Sequence, residues 1–332
     1  MFDNNNELFM EPKTTQYGSH MVMTNVNKNT KTKLLNIDTI FRDEYNYNDN
    51  SYFNTTLPDK YKYNITIPER ITNVKTMKIK SAEIPLTFYN IASNLGNNSF
   101  VLCVYYKSVL LNNLTVVVPD GHYPTIASLF TAINIIITPQ NIQLGLNAEN
   151  TVNFTLINPN FDSSTSQNAF NNFNIQFSSQ DKYSFKNSLG WILGFRNTNY
   201  TIPPIEIDPN IFTYLALNSE KPTVTGVPAV TKYLYLAIDE FSKGVQNSFV
   251  TPAYNAFLTK NVIARISIDS TTYPYGSVLP ANGFNGLLVS DNRNYNGKVD
   301  LQKLNIQLLN EFGMPIDLNN QDFSFCIEVT YE

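Results

Sequence analysis

The stretch that most constrains the fold is Val299–Tyr331, which reads VDLQKLNIQLLNEFGMPIDLNNQDFSFCIEVTY. Val299, Leu301, Leu304, Ile306 and Leu308 alternate with polar residues, with one slip at Lys303–Leu304. Phe323, Phe325, Ile327 and Val329 alternate without interruption. Successive side chains of a strand point to opposite faces, so each run predicts a strand with one buried face. Asn310, Gly313, Pro315, Asn319 and Asn320 supply turn chemistry between them. A chain carrying such a pair is expected to close a β-sandwich with it.

Further strand signals run back along the chain. The first is Lys33–Asp38, followed by short extended runs at Phe53–Leu57 and Tyr63–Ile67. The longest alternating segment is Ile71–Pro85, with apolar Ile71, Val74, Met77 and Ile79 against Lys75, Lys78 and Lys80. Its alternation shifts near Thr76, which predicts a bulge, and its lysines suit an outward face. Ser99–Tyr106 and Val109–Val118 follow and form a candidate hairpin about Lys107–Ser108. Later strands are expected at Thr151–Ile157, Phe173–Phe177, Ile211–Leu217, Lys232–Ile238, Asn261–Ile268 and Gly286–Ser290, with Asp291–Gly297 as a tight polar turn.

Helical periodicity occurs once with clarity, where Ile126, Leu129, Phe130 and Ile133 follow Pro124 and Thr125. A short second helix is expected within 186–195, capped by Asn187 or Ser188 and ended by Gly194. No strand–helix–strand rhythm and no fixed-period repeat is present. The expected class is all-β, mostly antiparallel: a jelly-roll-like sandwich with long inserted loops and one or two short helices. Residues 1–33 are polar and aperiodic and read as an extended or disordered arm. Residues 34–332 read as one sandwich domain with a larger insertion around 119–230. The N-terminal strand is expected beside the closing pair, with Leu34–Ile37 against Leu304–Leu308 or Phe323–Val329.

Composition narrows function more than fold. Across 332 residues the net charge is −4 and only 15% are charged, with a pI near 5.3. That balance offers little electrostatic support for a nucleic-acid partner. No run approaches ~18 apolar residues, so no transmembrane helix is expected. The opening MFDNNNELFMEPK lacks a basic segment followed by an apolar one, so no secretory signal is expected either. Asn is heavily used, as AT-rich codons or abundant turns would each require.

No catalytic constellation assembles along the chain. His20 lies in the arm and His122 in a turn, neither beside a nucleophile motif. Two cysteines, Cys103 and Cys326, sit in apolar runs and read as small buried hydrophobes. With two histidines they give no metal-ligand spacing. Asp239–Glu240 reads as a solvated acidic loop pair. Asp291, Asn292 and Arg293 could hold an ion, but a turn accounts for them more simply. Trp191 with Phe195 could form a glycan-stacking or surface patch, and packing of a short helix is the simpler account. No catalytic residue, cofactor or metal site is expected.

Several segments carry a family resemblance. Asn36–Asp43 (NIDTIFRD) is followed by Ile71–Tyr89 (ITNVKTMKIKSAEIPLTFY). These resemble the opening of minor capsid and virion structural proteins of giant nucleocytoplasmic DNA viruses. The Gly121–Leu129 segment, the block NSLGWILGF at 187–195, and Leu309–Gly313 with Asp322–Phe325 are similar to the same group. The resemblance implies a non-enzymatic virion protein with a jelly-roll sandwich, made in infected host cytoplasm and built into an icosahedral shell as a minor capsid or penton component. It implies the major capsid protein and other minor capsid proteins as partners, and a homo-oligomer, pentameric at a vertex. The alternative is a virion attachment or glycan-binding module using Trp191 and Phe195.

Overall fold

The computed structural model describes residues 14–17, 21–24, 29–43, 45–46, 51–52, 61–106, 109–143, 152–153, 160–163, 171–176, 188–195, 197–202, 204–208, 211–214, 217–218, 231–241, 252–253, 256–257 and 261–332. Eight strands form its main sheet: β1 (Lys31–Asp38), β2 (Tyr63–Pro85), β3 (Tyr233–Asp239), β4 (Val262–Ser267), β5 (Val278–Asn282), β6 (Leu288–Ser290), β7 (Arg293–Leu309) and β8 (Ser324–Tyr331). Their hydrogen-bonded order is β6-β4-β3-β7-β2-β8-β1, with β5 on the end of β2, and every pairing is antiparallel.

The 23 residues of β2 organise this sheet. Its first half, Tyr63–Ile71, pairs with β7. Its second half pairs with β8 on one side and, through Ser81–Pro85, with β5 on the other. One layer is therefore β1-β8-β2(second half)-β5, and the facing layer is β2(first half)-β7-β3-β4. Counting the halves of β2 as separate strands and passing over short β6, the layers read 1-8-3-6 and 2-7-4-5. That is the jelly-roll order, reached from the pairing alone. Side chains from both layers, among them Ile37, Met77, Ile79, Phe325 and Ile327 from one and Ile65, Leu236, Ile263, Leu304 and Ile306 from the other, share a single buried core.

Local chemistry explains how one strand serves two layers. At Asn73 the backbone turns through φ +56°, a left-handed value that Asn tolerates better than most residues. The Asn73 N–H donates to Asp300 Oδ1 at 3.1 Å, and Arg70 holds the same carboxylate at 2.6 Å. Two bulges follow. Thr330 faces Thr76 but Tyr331 faces Val74, and Cys326 faces Ser81 but Ile327 faces Ile79. The extra residues are Lys75 and Lys80, and their ammonium groups lie against Glu332 and Glu328. The shift of alternation near Thr76 thus marks a bulge one residue away. Asn73→Val should cost about 1–2 kcal/mol and Asn73→Gly a few tenths at most, checked by denaturant unfolding.

The expected neighbour of the closing pair is in place. Strand β1 pairs with β8 along its length, Leu34 opposite Glu328 and Ile37 opposite Phe325. The turn after β1 is braced by NIDTIFRD. Asp38 caps Ile40, the buried Thr39 hydroxyl donates to Asp322 at 2.9 Å, and Arg42 pairs with Asp322 while its guanidinium sits 4.6 Å over the Tyr63 ring. Asp43 accepts from the Thr66 N–H and hydroxyl at 3.1 and 2.7 Å. The motif stitches the first corner of the jelly roll to β2 and to the loop before β8.

Two expectations change. The tight turn at 291–297 is overturned from Arg293 onward, because β7 already pairs there, Arg293 opposite Met77 and Asn294 opposite Thr76. The hairpin Ser99–Tyr106 with Val109–Val117 forms as expected, with Tyr106 facing Val109. It lies, however, in a separate four-stranded sheet with Asn171–Gln176 and Asn199–Ile202. The chain therefore leaves the jelly-roll ladders after Pro85, ahead of residue 119. Alternation reports a half-buried strand but not the sheet that receives it.

Helix α1 (Ile126–Gln143) buries the expected face, Ile126, Leu129, Phe130 and Ile133. Thr125 and Ser128 exchange side-chain and backbone hydrogen bonds at its start. Helix α2 (Leu189–Ile192) is capped by Ser188, and Gly194 follows at φ +98°. Among the described residues no helix is long and apolar enough to cross a membrane. Of residues 1–33, Thr14–Tyr17 pairs with Met21–Thr24 and Lys31–Lys33 belong to β1. Much of the remainder, His20 included, lies outside the described residues.

Candidate functional site

Folding leaves apolar side chains exposed on both flanks of the jelly roll. On the flank of β5 and β6 the connecting turn is fixed by two asparagines. Asn282 Oδ1 accepts from the N–H groups of Phe284 and Asn285 at 2.9 and 3.0 Å. Asn285 Oδ1 accepts from those of Asn282 and Leu287, both at 3.1 Å, and its amide donates to Pro280 O. This locked turn holds the whole Phe284 ring in solvent, at 103% relative exposure, between exposed Val278 and Val289. An exposed Phe forgoes about 1.5–3 kcal/mol of burial, so folding alone does not account for its placement. At the opposite flank, on and just after β1, Leu34, Ile40 and Phe41 are exposed. The sequence reading missed Phe284. The signal was a lone aromatic set between two turn pairs, Asn282-Gly283 and Asn285-Gly286.

A cleft of about 370 Å³ opens where the excursion leaves β2 and meets the β4–β5 loop. Leu86 exchanges backbone hydrogen bonds with that loop, its N–H to Ser277 O at 2.8 Å and its carbonyl from Gly276 N–H at 2.9 Å. Asn90 clamps Tyr123 through both of its side-chain atoms, each at 2.8 Å. Asp269 fixes the loop by accepting from Thr271 and Thr272. The His122 ring stacks on Tyr275, centroids 4.1 Å apart and planes 9° from parallel, joining the two walls. Burial lowers the His122 pKa, so the imidazole is neutral at physiological pH.

A third feature is a buried ion pair. Arg293, with no exposed surface, donates to Glu240 Oε2 at 2.7 Å, Ile238 O at 2.8 Å and Asn261 O at 2.5 Å. This corrects the reading of Glu240 as a solvated loop acid: it is buried. Burial raises its carboxyl above the usual range and the Arg293 charge pulls it back. Tyr295 lies beside the pair, its hydroxyl pushed up by burial and then by Glu240. The pair ties the ends of β3 and β4 to the start of β7, and its enclosure makes it a structural lock.

No family model matches the chain. No curated protein matches it either. Among solved structures, the chain is similar to the mavirus penton protein, at 10% identity over 92% of this chain and 99% of that one, with a TM-score of 0.37. It is likewise similar to a chain of the Sputnik virophage structure, at 12% identity over 90% and 98%, with a TM-score of 0.38.

Of the two residues singled out for a surface patch, Trp191 is half-buried on α2 and Phe195 is wholly buried. Phe195 therefore presents no ring face for stacking. Cys326 is a free, half-buried thiol whose pKa is raised by burial, which keeps it protonated and unreactive. The side chain of Cys103 lies outside the described residues. Among the described residues no three His, Cys, Asp or Glu side chains gather as metal ligands.

Proposed function

We propose that this chain is a virion structural protein, a minor capsid or penton component of an icosahedral shell, assembled in host cytoplasm and acting through protein–protein contacts without catalysis. The observation that carries the reading is the pair of apolar flanks, above all Phe284 held in solvent by its asparagine-locked turn. Supporting it are the jelly-roll order and the resemblance of Asn36–Asp43 and Ile71–Tyr89 to virion proteins. Contact between unlike flanks of neighbouring copies is heterologous, and such contacts close into rings when the rotation between copies permits. A ring of five at a vertex fits that geometry, with the major capsid protein and other minor capsid proteins as neighbours.

The test is reconstruction of purified particles together with sedimentation of the isolated chain. The chain should occupy vertex or sub-facet density and form closed oligomers as concentration rises. Absence from purified particles, with a chain that stays monomeric at all concentrations, would sink the proposal.

A further inference from the structure

We infer that the cleft beside the β4–β5 loop binds a neutral sugar. Its volume, about 370 Å³, lies within the range of small-molecule sites. Among the described residues that line it there is no Asp, Glu, Lys or Arg, and His122 is held neutral by burial. A charged ligand would lose its hydration there without gaining a partner. The lining instead includes the aromatic residues Phe88, Tyr89, Tyr273 and Tyr275, with hydroxyls on the tyrosines and on Ser270. A pyranose matches both at once. Its C–H face packs on the electron-rich face of an aromatic ring, and its hydroxyls exchange hydrogen bonds with those around it.

The backbone argues against an extended peptide as the occupant. Peptide recognition in a groove leans on main-chain partners, and several of those at and beside the cleft are already taken. The N–H and carbonyl of Leu86, the N–H groups of Gly276 and Ser277, and both backbone groups of Tyr123 are bonded within the protein. The same cross-links fix both walls before any ligand arrives, so little ordering cost remains for binding. Tyr275 stands at the mouth, 43% exposed, its ring backed by the stacked His122.

The experiment uses the full chain on an array of neutral, sialylated and sulfated glycans. Methyl glycosides of neutral hexoses and N-acetylhexosamines are then titrated by saturation-transfer NMR, with a proline-rich peptide as a parallel arm. Saturable binding of a neutral sugar, not improved by sialylation or sulfation, is expected. Tyr275→Ala should weaken it by about tenfold or more, and Ser270→Arg, which fills the mouth, should abolish it. Phe284→Ala should leave it unchanged. No neutral glycan bound, binding that survives both cleft variants, or binding of the peptide alone would overturn the inference.

Discussion

Arg293→Met will destabilise the chain by about 3–5 kcal/mol, the usual cost of removing one partner of a buried ion pair. Glu240 would then sit enclosed with no compensating cation, since Arg293 is the partner that its Oε2 faces at 2.7 Å. The Ile238 carbonyl would lose the Arg293 donor as well, whereas Asn261 O keeps the Ile238 N–H at 3.0 Å. The loss should depend on pH, and the sign follows from the carboxyl. Burial already raises the Glu240 pKa and Arg293 opposes that rise. Without Arg293 the folded chain holds the Glu240 proton more tightly than the unfolded chain does. Stability of the variant should therefore fall as pH rises through the raised folded pKa, and recover as pH falls toward the ordinary carboxylate value. Adding Glu240→Gln should restore much of the stability and flatten the pH dependence. Denaturant unfolding of the single and double variants across the acid range decides it. A single variant as stable as the parent at neutral pH would show that the pair is not the lock described.

Phe284→Ala should leave folding stability within about 0.5 kcal/mol of the parent, because the ring touches nothing that folding buries. Self-association should weaken by roughly thirtyfold or more, about 2 kcal/mol, the scale of an aromatic anchor at an interface centre. Phe41→Ala on the opposite flank should act in the same direction, as heterologous contact requires both surfaces. Sedimentation velocity of parent and variants over a range of concentrations reads the effect. Equal association by Phe284→Asp and the parent would remove this flank from the interface.

Much of the jelly roll is legible in the residues themselves. The uninterrupted alternation of Phe323–Val329 fixes which face of β8 is buried, and the slip near Thr76 places a bulge almost to the residue. What alternation cannot carry is identity of partner. Ser99–Tyr106 and Val109–Val117 carry strand signals as well, and belong to another sheet. Arg293 reads as surface because a lone arginine amid Asn and Asp favours a turn. Its burial depends on Glu240, 53 residues earlier in the chain. The cleft was hidden for a similar reason: its walls come from segments near residues 88, 122 and 273, each an ordinary loop alone. Trp191 and Phe195 drew attention as aromatics, but aromatic content does not say which side of a helix faces solvent.

The position of β8 between β1 and β2 has a consequence for biogenesis. Of the eight jelly-roll strands it is the last to leave the ribosome, yet it sits inside its layer with a neighbour on each side. Until it arrives, the facing edges of β1 and β2 are open, and open edges invite pairing with other chains. A truncated translation product would thus carry two unpaired templates and no closed sandwich. Insertion of β8 closes this layer, so that only a chain carrying β8 displays the paired flank on which Leu34 and Phe41 stand.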